Sequence, residues 1–356
     1  MITLYFFSSI VVCAVLTFVV RRIMVRQHIL DIPHKQKRKQ HKRATPLGGG
    51  LAIYVTCLVV LCVEQVVGAI PGAHISQHVL FGVFAGGAIL MFGGFLDDKY
   101  NLSPKYQMIF PVLASCVAMF FGLGVESAGI SPERFAFLRF VGTDVGDMSQ
   151  WAVAGNIIVF FWLMGMMYTT KFLDGLDGLV TGIVAIGGIM VAVVSMQPQW
   201  FQPEVTFVAM VFVGSCIGFL FWNFHRAKIF LGEGGSLFTG FFIAALAIIS
   251  GSKIATTLLV MAVPIFDLIR VIFVRLKKGK SIFSGDREHL HFKIVQAGFS
   301  HTQTVIFFYG IAALFGVSVL FLQSHQKLLA LCVLFILMLL FGMVYAKRRS
   351  NNTNKK

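Results

Sequence analysis

Charge is scarce in this sequence. Only 13% of its 356 residues are charged, about half the share found in soluble globular proteins. Hydrophobic residues make up 57%, with a mean hydropathy of +0.82. A water-soluble fold could not hide that much apolar surface, which excludes a soluble enzyme or carrier. Acidic groups are scarcer still, 15 Asp and Glu against 30 Lys and Arg. Such a basic balance can signal nucleic acid, but the chain lacks a soluble basic domain to hold a duplex or a strand. Anionic lipid headgroups and anionic substrates fit better. Metal-ligand spacing is absent among the cysteines: Cys13, Cys57, Cys62, Cys116, Cys216 and Cys332 all lie inside apolar runs, where buried small hydrophobes are expected. Interdomain linkers and internal repeats are also lacking, so the expected organisation is one membrane-embedded domain over 1–356, with 346–356 a basic tail.

What the chain does have is a series of apolar runs, most about twenty residues long, each matching the roughly 30 Å hydrocarbon core of a bilayer. Eleven can be counted, near 2–20, 48–67, 79–96, 106–124, 151–167, 176–196, 207–224, 237–250, 254–273, 304–321 and 328–345. The expected fold is therefore all-α and polytopic, with about eleven transmembrane helices. The first run has no basic leader and no small-residue cleavage site, and Arg21 and Arg22 follow rather than precede it, so it is expected to be a retained span. Basic residues gather in cytoplasmic loops. With the N-terminus outside and the C-terminus cytoplasmic, only Arg134, Arg139, Lys253 and Lys327 of the 30 fall on the outer side.

The acidic residues are distributed unevenly. Asp97, Asp98, Asp174, Asp177, Glu233, Asp267, Asp286 and Glu288 lie in or beside the later cytoplasmic segments. A carboxylate at a span's end costs a few kcal/mol if it drifts into lipid, so these groups should face protein or water. Converging on one face they would repel each other, and a divalent cation or a basic residue among them would relieve that repulsion.

Several segments carry chemistry on this face. Thr45-Pro-Leu-Gly-Gly-Gly50 opens the second span, and glycine-rich backbone at a helix start can bind phosphate through free N–H groups. Asp97 and Asp98 leave the third span ahead of Leu102-Ser-Pro-Lys105, where paired carboxylates could hold a metal, act as a base or mark the membrane edge. Asp174 and Asp177 are three apart, so at the start of a sixth helix they would share a face. Gly232-Glu-Gly-Gly-Ser236 resembles a P-loop only superficially, since no Gly-Lys-Ser/Thr and no preceding strand occur. His289 and His291 have no third or fourth partner at zinc spacing, so work on phosphate or protons suits them better.

Taken in order, these segments resemble the polyprenyl-phosphate N-acetylhexosamine-1-phosphate transferases, and most closely the branch acting on UDP-N-acetylglucosamine. The shared pattern runs from Thr-Pro-Leu-Gly-Gly through Asp-Asp with Leu-Ser-Pro-Lys, Asp-Gly-Leu-Asp-Gly-Leu, and Asn-Phe with Gly-Glu-Gly-Gly-Ser, to His-Leu-His and Ser-His-Thr-Gln-Thr-Val. The resemblance implies that Asp97 and Asp98 are catalytic at the reacting phosphate, with His289 and His291 over the diphosphate. It implies substrate binding by Asp174, Asp177, Asn223, Lys171 and Arg287, and Mg²⁺ or Mn²⁺ held by Glu233 and Asp174. Three positions depart from the family pattern: Lys171 stands for an asparagine, Glu233 for an aspartate and Phe292 for a histidine.

The implied reaction moves N-acetylglucosamine-1-phosphate from a UDP-sugar to undecaprenyl or another polyprenyl phosphate, with release of UMP. Membrane lipid and a second copy in a homodimer are the further partners implied, without nucleic acid, at the plasma (inner) membrane of a bacterium. A secondary transporter of an anionic substrate is the alternative, but transporters place coupling groups near the midplane and show repeats.

Overall fold

The computed structural model describes residues 1–32, 44–68, 75–124, 148–251, 253–277 and 288–322, with a few isolated positions beside them. The described residues are mostly helical, because a backbone in hydrocarbon must satisfy its own N–H and C=O groups. The helices are α1 (Ile2–Arg26), α2 (Gly50–Val67), α3 (Gln77–Tyr100), α4 (Pro104–Phe120), α5 (Met148–Leu173) and α6 (Leu179–Ser195). They continue as α7 (Pro203–Asn223), α8 (Gly232–Ile249), α9 (Ile254–Val260), α10 (Ala262–Lys277), α11 (Leu290–Gln296) and α12 (His301–Ser318). A two-residue antiparallel ladder, β1 (Leu30–Asp31) with β2 (Thr45–Pro46), closes the loop between α1 and α2.

Ten of the eleven apolar runs form helices, and the eleventh, 328–345, lies largely outside the described residues. Among the described residues, seven helices are long and apolar enough to cross a membrane, or eight when α9 and α10 count together. That pair departs from the expected single rod, bending by 72° at Met261. Pro264 explains the break: it has no N–H, and its ring excludes a helical carbonyl four residues earlier, at Val260, where α9 ends.

Helix α8 is central, with 89% of its span buried against α2, α3, α5 and α6, whereas α1 lies at the rim with 17% buried. Small residues allow this closeness. A Cβ on Gly94 of α3 would fall 2.0 Å from the backbone nitrogen of Gly234, and one on Gly50 of α2 would fall 2.0 Å from the Cα of Gly235. Many hydroxyls inside the spans bond back to their own helix, as Thr17 to Cys13 O at 2.7 Å and Thr56 to Ala52 O at 2.7 Å, which satisfies them away from water.

Candidate active site

Alternating chain direction brings the C-terminal ends of α3, α5 and α7 and the N-terminal ends of α4, α6, α8 and α12 to one end of the bundle. Of the acidic residues singled out in the sequence, Asp97, Asp98, Asp174, Asp177 and Glu233 lie there, whereas Asp286 is outside the described residues. Asn101, in the left-handed region at φ 53°, stops α3 and turns the chain into α4. Asp97 Oδ1 closes this turn, accepting from the Leu102 N–H at 2.9 Å and from Gln107 Nε2 at 2.8 Å. Asp98 faces α8 instead, and its Oδ1 accepts the Glu233 N–H at 3.2 Å. Gly232 has φ +78°, and a Cβ there would meet Asp98 Oδ2 at 2.5 Å, so both conformation and space demand glycine. Asp98 also stands at the edge of a cavity of about 230 Å³ that is otherwise apolar, lined by Met24, Ile29, Leu51, Met91, Phe92 and Phe95.

Glu233 occupies the first turn of α8, where the helix dipole favours a carboxylate. It pairs with Lys171 on the last turn of α5, and the same ammonium donates to Gln107 Oε1 at 2.9 Å. Asp174 lies within electrostatic reach of Asp98 and Glu233. It reaches solvent while being surrounded by protein. That enclosure, reinforced by the charges of Glu233 and Asp177, pushes its carboxyl up to about 7. Its side chain has no hydrogen-bond partner among the described residues.

Asp174 and Asp177 do not share a helix face. Residues 174–178 form a turn, with Gly178 at φ +79°, and α6 starts only at Leu179, so the two carboxylates diverge. Asp177 joins a second cluster, where its Oδ2 meets His225 Nδ1 and the Ala227 N–H, each at 3.1 Å. Its own N–H donates to His301 Nε2 at 3.1 Å. Ligand atoms of Asp177, His225 and His301 lie within 4.8 Å of one another. The two imidazoles are stacked, however, with centroids 4.4 Å apart and planes 21° from parallel, so their in-plane lone pairs do not converge on one point. Buried Asn223 braces the turn: its Oδ1 accepts the Gly178 N–H at 3.0 Å and its Nδ2 donates to Ile229 O at 3.0 Å.

The glycine turn at the mouth of α2 also differs from expectation. The N–H groups of Gly49 and Gly50 are not free for phosphate, because they donate to Phe230 O at 2.9 Å and Leu231 O at 2.8 Å. These glycines serve close packing against the α7–α8 connection.

His289 and His291 stack in parallel, 5.6 Å apart and 12° from coplanar, beneath Phe172. Asp267 on α10 holds His289 Nδ1 at 2.9 Å while taking Arg270 Nη2 at 2.6 Å and the Leu290 N–H at 3.0 Å. His289 Nε2 is thereby left buried without a partner among the described residues. His291 is 1% exposed, and burial, aided by the neighbouring His289, pushes it down to about 3, so it is a neutral ring rather than a cation. Arg287 lies outside the described residues.

Sequence reasoning did not assign Gln107, His225, Asp267, Arg270 or His301 to the site. His225 and His301 sit inside the motifs and could have been flagged there. Asp267 and Arg270, three apart on α10, could have been read as an ion pair, whereas Gln107 carries no spacing signal because its partner Lys171 comes from another helix.

The sequence model of glycosyl transferase family 4 matches residues 80–251. A probable undecaprenyl-phosphate N-acetylglucosaminyl 1-phosphate transferase of Bacillus subtilis is 29% identical, over 96% of this chain and 91% of its own. A decaprenyl-phosphate N-acetylglucosaminephosphotransferase of Mycobacterium leprae is 28% identical over 83% of this chain and 78% of its own. An undecaprenyl-phosphate alpha-N-acetylglucosaminyl 1-phosphate transferase of Escherichia coli K12 is 25% identical over 92% and 85% respectively.

Proposed function

We propose, from the match of residues 80–251 to glycosyl transferase family 4 and from its relatives, that the chain transfers N-acetylglucosamine-1-phosphate from a UDP-sugar to undecaprenyl or another polyprenyl phosphate. The names of its relatives favour a transferase over a secondary transporter. The observation that carries the reading is the position of Asp98, which stands between an apolar cavity and the carboxylates of Asp174 and Glu233. The reaction joins a lipid to a water-soluble nucleotide, so its reacting group needs both approaches.

In this reading an oxygen of the lipid phosphate attacks the sugar-bearing phosphorus of the UDP-sugar. A new pyrophosphate bond forms, the old one breaks, and UMP leaves. Asp98 Oδ1 is occupied by α8, so Oδ2 is the oxygen that takes a proton from the lipid phosphate. Attack by the same oxygen to give a phosphorylated enzyme is the other course open to it. Asp97, held by Leu102 and Gln107, keeps the α3–α4 turn and hence its neighbour in place. His289 Nε2, aimed by Asp267 through Nδ1, meets a phosphate oxygen, while neutral His291 supports that ring by stacking. Asn223 holds the 174–178 turn, and Asp177 with its two histidines forms the adjoining polar wall on which the nucleoside rests.

The donors of the crevice, Asp98, Asp174 and Glu233, are all hard carboxylate oxygens. Mg²⁺ commonly takes only one or two carboxylates and completes its shell with water and substrate phosphate, so an open crevice suits Mg²⁺ or Mn²⁺. When bound, such an ion would neutralise charge on the diphosphate. The basic loops argue for a site facing the cytoplasm at a bacterial inner membrane, with the N-terminus outside and the C-terminus inside. The test is incubation of purified protein with Mg²⁺, polyprenyl phosphate and a panel of UDP-sugars. UMP and a lipid product should form, and no UMP with any sugar would remove the transferase reading.

A further inference from the structure

Lys171 places a cation among these carboxylates. Lys171 pairs with Glu233 and donates to Gln107 Oε1 at 2.9 Å. Gln107 in turn directs its amide nitrogen to Asp97 at 2.8 Å, while the Glu233 N–H donates to Asp98 at 3.2 Å. An unbroken polar chain therefore runs from Asp97 to Asp98, drawn from α3, α4, α5 and α8, with the lysine at its midpoint. The side chains of Lys171 and Glu233 are only 17% and 16% exposed, so this ammonium is a resident counter-ion rather than a surface charge.

We propose that Lys171 takes over part of the charge neutralisation that a divalent cation supplies in this crevice, acting through Glu233, with Gln107 as the tether that keeps it there. Without the ammonium, the carboxylates of Asp98, Asp174 and Glu233 would face one another with only a bound ion or protons to relieve them. With it, an arriving cation meets one net negative charge fewer and must share Glu233 with a fixed positive group. The local affinity for divalent ions is set low, and the crevice stays organised when no ion is bound. A protonated lysine is not itself a ligand, so its influence is electrostatic and positional. The inference rests on the transferase reading for the meaning of the site, but it is read by metal binding, without turnover.

Mn²⁺ as a paramagnetic stand-in for Mg²⁺, titrated into the full-length protein in detergent with the free ion followed by electron paramagnetic resonance, measures the effect directly. Lys171→Met, close in shape and uncharged, should bind Mn²⁺ about tenfold more tightly or better, a difference of about 1.4 kcal/mol. Lys171→Arg keeps the charge and should stay within about threefold of the parent. Gln107→Leu loosens the tether and should tighten binding by a smaller factor, which keeps the idea testable if Lys171→Met fails to fold. In the double variant Lys171→Met/Glu233→Gln the gain should vanish, because the carboxylate through which lysine acts is gone. Unchanged or weaker Mn²⁺ affinity in Lys171→Met overturns the proposal, as does equal tightening in Lys171→Met and Lys171→Arg, which would point to shape rather than charge. If Lys171→Met does not fold, unchanged affinity in Gln107→Leu overturns it. Failure here with UMP release intact would leave the transferase reading standing. Absence of Mn²⁺ binding in every protein would sink this proposal together with the metal assignment.

Discussion

Replacing Asp267 by asparagine isolates the aim of His289. Asp267 is 4% exposed and faces only donors: His289 Nδ1 at 2.9 Å, Arg270 Nη2 at 2.6 Å and the Leu290 N–H at 3.0 Å. An amide has one oxygen, so its NH₂ must be turned against at least one of these donors. Each lost hydrogen bond to a charged group is worth about 1.5–3 kcal/mol, and a buried Arg270 left without its counter-charge adds to the cost, so a loss of about 3–5 kcal/mol in stability is expected. The imidazole, no longer held at Nδ1, would present Nε2 in the wrong tautomer or orientation. Where an acid that orients a catalytic histidine is removed, turnover falls by up to about 10⁴. Initial-rate measurement of UMP release at saturating substrates, in protein whose melting temperature is still well above the assay temperature, is the readout. Asp267→Asn should lower kcat by about two orders of magnitude or more, and adding it to His289→Ala should cost little further, since both remove one device. Independent, additive losses would refute the claim that Asp267 acts through His289.

Asp97→Asn or Asp98→Asn should each lower turnover by roughly two orders of magnitude or more in the same assay while leaving the protein folded; retained activity in both would reduce the pair to a helix-end feature. His291 titrates near 3 in the folded chain against about 6.5 unfolded. Its contribution to stability is complete above about 6.5 and is lost as the pH falls toward 3. Melting temperature should therefore drop between pH 7 and pH 5, less so in His291→Gln, and equal slopes would contradict this. Gly94→Ala places a methyl 2.0 Å from Gly234 N, so thermal unfolding should show a loss of about 1–3 kcal/mol or more. A label at Ala136 should be accessible from outside and a reporter after Lys356 from the cytoplasm, both positions lying outside the described residues; finding both on one side would overturn the charge-based orientation.

Hydropathy alone made the helices legible. A bilayer leaves the backbone no alternative to helix in a chain of apolar runs, so ten runs became helices close to the limits read from the sequence, although the ninth, expected as one span, breaks ahead of Pro264. The location of the acids at one end of the bundle was legible too, since a carboxylate is too costly in hydrocarbon to lie elsewhere. What the tertiary structure decided is who meets whom. Periodicity describes one helix face at a time, whereas Lys171 finds Glu233 across α5 and α8, and Gln107 finds both Asp97 and Lys171 across three helices. Those meetings depend on helix approach, which glycines such as Gly94 and Gly234 allow but do not announce. The parting of Asp174 from Asp177 and the capture of the Gly49 and Gly50 N–H groups by the α7–α8 connection have the same origin. A turn's geometry and a neighbour's carbonyl, set only when the helices pack, choose between readings that the local sequence leaves equally open.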